Sequence, residues 1–195
     1  MVMLKLFTSR FIKIFATLAI FAGIIGLVSL YLTEGIESKS SSTHDDFNTK
    51  FVQHTTPIEL PDFTVDLPTG AKTLADFRGR FLIINLWATW CAPCRREMPQ
   101  FENLQNILGD RADVIALSLD RGKRDKPDAF LDSLGITSLL RAHDGGQKIA
   151  RQIGLFGVPT TLFINEKGQE VARLQGEAIW DGAQAQAAIL GLIGK

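Results

Sequence analysis

From Ile14 to Leu32 not one side chain is charged, and the run is apolar on every face. A helix of that length spans about 28 Å, close to a hydrocarbon core of about 30 Å, so residues 14–32 are expected to cross a membrane. An amphipathic helix of a soluble core would show a polar stripe, and this run has none. Residues 33–56 then lose apolar periodicity, with Ser38, Ser40, Ser41, Ser42 and Thr43 set among mixed charges. Such a segment has no face to bury and reads as a flexible linker. Apolar clusters resume near Pro57, so a folded domain is expected over residues 57–195.

Within that domain the pattern alternates between two periods. Phe63–Leu67 has the look of a short strand closed by Pro68-Thr69-Gly70. Phe81–Trp87 is a mostly apolar run of strand length, as expected of a central strand covered on both faces. Met98, Phe101, Leu104 and Leu108 then recur at helical spacing, and Gly109 closes the helix. Val114–Leu119 is a second buried strand. Helical stretches follow around Pro127–Leu134 and Gln147–Ile153, with a short apolar piece, Ser138–Leu140, between them. Thr160–Ile164 and Glu170–Leu174 flank Glu166-Lys167-Gly168, a hairpin signal. Ile179–Ile193 is expected to form a closing helix, weakened by Gly182 and Gly191. The order predicts an α/β sandwich of three layers around a central mixed sheet.

Charge adds orientation. Lys5, Arg10 and Lys13 precede the apolar run, and no acidic residue occurs before Glu34. This places residues 1–13 in the cytoplasm and the domain outside it. A cleaved signal peptide is the alternative. Its apolar stretch is usually about 7–15 residues and is followed by an Ala-x-Ala site, and neither feature is found here. The 195-residue chain carries 21 basic and 21 acidic side chains with no basic block, which gives nucleic acid no electrostatic hold.

Only two cysteines occur, in Trp90-Cys91-Ala92-Pro93-Cys94, where the central strand gives way to a helix. At that spacing the two lie on nearly one helix face, within reach of disulfide geometry. Closing so short a loop removes little unfolded-state entropy, so a purely stabilising role explains the pair poorly. A structural zinc site needs about four ligands, and His44, His54 and His143 are distant in sequence. The redox reading is the one that stands, and no cofactor is called for. Cys91 falls at the helix N-terminus, where free N–H groups and the helix dipole favour the attacking thiolate. Cys94, one turn inward, is the resolving thiol. Pro93 suits a first turn, whose N–H groups lack helical partners anyway. Trp90 is placed as an apolar rim beside Cys91, and Trp87 as a core residue.

The stretch Asn85-Leu86-Trp87-Ala88-Thr89-Trp90-Cys91-Ala92-Pro93-Cys94-Arg95-Arg96-Glu97-Met98-Pro99 resembles the active-site region of the TlpA/ResA/CcmG group of thioredoxin-like proteins. The likeness takes in Thr73–Gly79, and Gly176–Trp180 is similar to the TlpA branch in particular. It implies a thioredoxin-like fold with an extra strand–helix insertion after Val114–Asp120. It implies a proton-exchanging role for Glu97, the competing reading being a solvated acid beside Arg95 and Arg96. Asn85 stands where thioredoxin keeps a buried aspartate, so it cannot act as a base. Val158-Pro159 resembles the cis-proline site, where the residue before proline offers backbone groups to an extended substrate. Cytochrome-maturation members often carry an acid soon after that proline, whereas Thr160 and Thr161 follow here. Sco-like copper proteins space their cysteines differently, so His143 is read as a loop histidine and no metal is expected.

The resemblance implies a thiol–disulfide oxidoreductase on the periplasmic side of the inner membrane, reducing oxidised cysteine pairs of client proteins in metal-site or cytochrome assembly. Its electrons would come from a membrane transporter of the CcdA/DsbD type. The alternatives are an oxidase or isomerase like DsbA or DsbC, and a copper-binding assembly chaperone.

Overall fold

The computed structural model describes residues 47–193. The expected span 14–32 and most of the expected linker lie outside these residues. Among the described residues no helix is long and apolar enough to cross a membrane.

The chain opens with a single helical turn, α1 (Phe47–Lys50), and runs straight into β1 (Phe51–Glu59). The described secondary structure therefore includes the ten residues before the expected domain start at Pro57. Phe47 is the cause: it is fully buried, stacked on Phe51 at 5.1 Å and edge-on to Trp180 at 5.8 Å. β1 reads as polar because it is an edge strand with one partner. Its register with the neighbouring strand shifts between Gln53 and Ile58, and Pro57 falls in that irregular stretch, where an absent N–H costs no ladder bond.

β2 (Thr64–Leu67) and β3 (Gly70–Thr73) form a hairpin, and a 3₁₀ turn (Leu74–Phe77) leads into β4 (Leu82–Trp87). Every residue of β4 is buried, Asn85 included, as its mostly apolar run implies. α2 (Ala92–Leu108) buries Cys94, Glu97, Met98, Phe101, Leu104 and Leu108 along one stripe and stops at Gly109. β5 (Asp113–Ser118) pairs parallel with β4. Then come α3 (Asp125–Ser133), β6 (Leu140–His143) and α4 (Lys148–Gln152). β7 (Thr160–Ile164), β8 (Gln169–Gln175) and α5 (Ala183–Leu190) complete the described chain.

Among the described residues eight strands form one sheet in the order β1-β8-β7-β4-β5-β6-β2-β3. β4, β5 and β6 run parallel, and the other pairings are antiparallel, so the sheet is mixed. One apolar core gathers Ile83, Trp87, Phe101, Leu104, Phe163 and Trp180 on the α2 and α5 side. A second gathers Leu82, Ile84, Leu117, Ile149 and Leu162 on the α4 side. Alternate residues of β4 thus feed opposite cores, which gives the three layers.

Three further elements differ from the sequence expectation. β3 was hidden in Gly70-Ala71-Lys72-Thr73, which is nearly all exposed. β6 lies at Leu140–His143 and not at Ser138–Leu140, because parallel pairing with Ile115–Ser118 selects the register. The closing helix starts at Ala183 and not at Ile179, since Trp180 is drawn fully into the core ahead of it.

Candidate active site

β4 ends at Trp87, and the chain turns through Ala88, Thr89 and Trp90 to Cys91, the N-cap of α2. Cys91 and Cys94 form a disulfide with Cα atoms 5.3 Å apart. The Cys94 N–H donates to the Cys91 Sγ at 3.3 Å, so the helix N-terminus aims a donor at the sulfur that would carry charge as a thiolate. Access is unequal: Cys91 keeps 5 % of its surface and Cys94 none. An incoming thiol or disulfide therefore meets Cys91 first. Pro93 sits in the first turn, and Trp90 stands 64 % exposed beside the bond.

Glu97 is fully buried one turn beyond Cys94, not solvated with its arginine neighbours. Its Oε1 accepts from the Ala178 N–H at 2.9 Å and from the Trp180 indole N–H at 2.7 Å. Its Oε2 is buried without a partner. Burial drives its pKa up, opposed by those two hydrogen bonds, and the balance lies at about 7. Arg96 turns away to form a two-pronged ion pair with Glu177, at 2.8 and 2.7 Å. This pair fixes the segment whose next N–H, that of Ala178, holds Glu97. A buried carboxyl that is half ionised near neutral pH can exchange a proton with a neighbour that water cannot reach.

Asp120, just past the C-terminal end of β5, was not singled out from sequence. Its Oδ2 accepts from the Thr89 N–H at 2.8 Å and from the Ser118 hydroxyl at 3.0 Å, and its Oδ1 accepts from the Thr89 hydroxyl at 2.6 Å. The Asp120 carbonyl is held in turn by His143 Nε2 at 2.9 Å. The loop that presents Trp90 and Cys91 is thereby pinned to the neighbouring strand. A signal was available: residues beyond the carboxyl ends of parallel strands line the functional crevice of α/β sheets.

The Val158–Pro159 peptide bond is cis. Val158 and Trp90 line one cavity of about 250 Å³ with Leu119, Leu155, Phe156 and Arg151, which brings the cysteine rim and the proline loop together. Phe156, in Gly154-Leu155-Phe156-Gly157, is 91 % exposed and was also missed. An isolated aromatic among loop glycines was its only sequence signal.

Asn85 is buried on β4, donating to the Thr161 hydroxyl at 3.1 Å and leaving its own carbonyl oxygen unpartnered. Trp87 is fully buried. His143 serves Asp120 as described, and among the described residues no group of three or more His, Cys, Asp or Glu side chains is placed to hold a metal.

A thioredoxin-like sheet with a two-cysteine disulfide capping the helix after its central strand defines the class of thiol–disulfide oxidoreductases. The chain matches Redoxin over residues 56–189 and belongs to that family. It is 34 % identical over 113 residues to the thioredoxin-like protein YneN of Bacillus subtilis, covering 56 % of this chain and 65 % of that one. It is 33 % identical over 121 residues to the thiol-disulfide oxidoreductase ResA of Bacillus thuringiensis, covering 61 % and 69 %. The chain thus spans about two thirds of these relatives. Among solved structures, a Chlorobium tepidum protein assigned as the thiol:disulfide interchange protein DsbE superposes with a TM-score of 0.64 at 27 % identity, over 71 % of this chain and 97 % of that one. A DsbF homologue from Corynebacterium diphtheriae shares the fold, with a TM-score of 0.61 at 21 % identity over 74 % and 93 %.

Proposed function

We propose that this protein is a membrane-anchored reductant of client-protein disulfides, held by residues 14–32 in the inner membrane with its redox domain in the periplasm. The observation that carries the redox mechanism is the asymmetric Cys91–Cys94 pair, one sulfur reachable at the helix N-terminus and the other buried. In the reduced protein the Cys91 thiolate attacks a client disulfide, forming a mixed disulfide and releasing one client thiolate. Cys94 then loses its proton and attacks Cys91 Sγ, which frees the reduced client and leaves the Cys91–Cys94 bond. Two electrons pass to the client in all. Water has no access to Cys94, so Glu97 takes its proton.

Trp90 and the Val158-Pro159 segment border the position where the client disulfide must lie, and Pro93 shapes the turn beneath it. Each turnover leaves the protein oxidised, so it needs an electron supply across the membrane, from a thiol transporter of the CcdA/DsbD type. The TlpA-like Gly176–Trp180 segment, whose Ala178 and Trp180 both hold Glu97, favours clients in cytochrome oxidase copper-site or cytochrome c assembly.

The test is a trap. Cys94→Ser, with resolution blocked, is expected to accumulate mixed disulfides through Cys91. Cys91→Ser should accumulate none. Trapping by Cys91→Ser and not by Cys94→Ser would reverse the assignment of nucleophile and resolving thiol, and equal trapping would remove it. Glu97→Gln should slow release of a trapped client; pH-independent release at the wild-type rate would remove Glu97 from the mechanism.

A further inference from the structure

Two cavities meet at Trp90. One of about 250 Å³ runs toward Val158 and includes Phe156 and Arg151. The other, of about 430 Å³, is lined by Trp90, Asp120, Arg121, Lys126 and Gln147. Gln147 lines both, so they form one continuous trough past the exposed Trp90 indole. The floor offers aromatic surface, with Trp90 64 % and Phe156 91 % exposed.

The exposed charges along this trough are of one sign. Arg121 and Arg151 are exposed, and the Lys126 side chain is 71 % exposed. The only acid in the lining is Asp120, whose carboxylate is buried and already saturated by Thr89 and Ser118. Lys126 approaches it no closer than 3.9 Å, which is the loose end of an ion pair. Arg151 donates to the Gly146 carbonyl, a neutral partner, and keeps its charge uncompensated. A chain with zero formal net charge has therefore gathered three exposed cations along the trough past Trp90, the residue next to the reactive cysteine.

We infer that the client is an extended polypeptide with acidic side chains flanking its cysteine pair and an aromatic or aliphatic residue to lie on Trp90 and Phe156. This specifies the substrate class of the proposed reductase and rests on that reading. Opposite charge on the client speeds encounter and fixes its direction along the trough, while like charge on a wrong partner repels it. Rim charges act mainly on association, so the preference should show in kcat/KM and weaken with salt.

The experiment compares two disulfide-bonded peptides, identical but for glutamates or lysines on either side of the cysteine pair. The full chain in detergent, reduced beforehand, is mixed with each. The glutamate peptide should be reduced roughly tenfold faster at low ionic strength, the scale expected of electrostatic steering, and the ratio should shrink toward one in high salt. In Arg121→Glu/Lys126→Glu/Arg151→Glu the ratio should invert. The salt dependence of the unmodified chain gives the same answer should that variant fold poorly. Equal rates for the two peptides, or a faster lysine peptide, would overturn the inference and leave the redox assignment intact. Failure to reduce either peptide would overturn both.

Discussion

Glu97 is the residue whose environment departs furthest from its sequence context. Its spacing from Cys94 and its arginine neighbours left two readings open, a proton-exchanging group or a solvated helix acid, and it lies fully buried against Ala178 and Trp180. Its pKa is about 7 in the folded chain against an ordinary 4.5, with burial as the main cause. Between those values the folded chain holds a proton that the unfolded chain releases, so this group lowers stability as pH rises from 4.5 through 7. The loss approaches about 3 kcal/mol above that window. Glu97→Gln imitates the neutral form and should raise the melting temperature at pH 8 while changing it little at pH 4. Thermal melts at the two pH values check this, and an equal shift at both would contradict it. Asp120→Ala would orphan the buried Thr89 N–H, at about 1–3 kcal/mol for such a group, and free the loop before Cys91. Denaturant titration should register that loss, and hydrogen exchange should speed up at Thr89 and Trp90. The cysteine pair was legible because its spacing and its strand–helix position are local. Glu97's burial and Asp120's grip on Thr89 were not, because both depend on partners 31 to 83 positions away.

At the scale of elements, β2 and β8 showed through alternating burial and turn signals, while the strands that declared themselves most plainly were those covered on both faces, β4, β5 and β7. Their apolar runs record burial directly. The edge strands β1 and β3 did not, since a strand with one neighbour and a wet face carries little apolar signal. β1 matters for the site nonetheless. It follows Phe47, which packs edge-on against Trp180, and the Trp180 indole N–H holds Glu97. Midway along it, His54 and Arg173 both grip the buried Glu170, the histidine at 2.9 Å. Burial alone would raise the Glu170 pKa, but hydrogen bonds from Arg173 and His54 outweigh it and hold the carboxyl below its ordinary range. A chain beginning at Pro57 lacks Phe47 and the paired residues Phe51, Val52 and Gln53. It should be markedly less stable than one beginning at Asp45. Phe47→Ala alone should cost about 3–5 kcal/mol, as for other fully buried aromatics. Equal stability of the two truncations in urea would show that α1 and β1 are dispensable.

The molecule as a whole joins a domain of ordinary globular composition to an apolar N-terminal run, with its redox chemistry at one end of the sheet. There the carboxyl ends of β4 and β5, the N-terminus of α2 and the Val158-Pro159 loop converge. One sulfur is reachable and the other hidden, and a buried acid lies one helical turn beyond the hidden one. Direction is a separate matter, set by the free energy of the dithiol against the disulfide. The central claim is that electrons leave this protein for its clients, and the equilibrium reduction potential of the full chain in glutathione buffers tests it most directly. The account predicts a potential near or below thioredoxin's roughly −270 mV; one near DsbA's roughly −120 mV would make the protein an oxidant and contradict it.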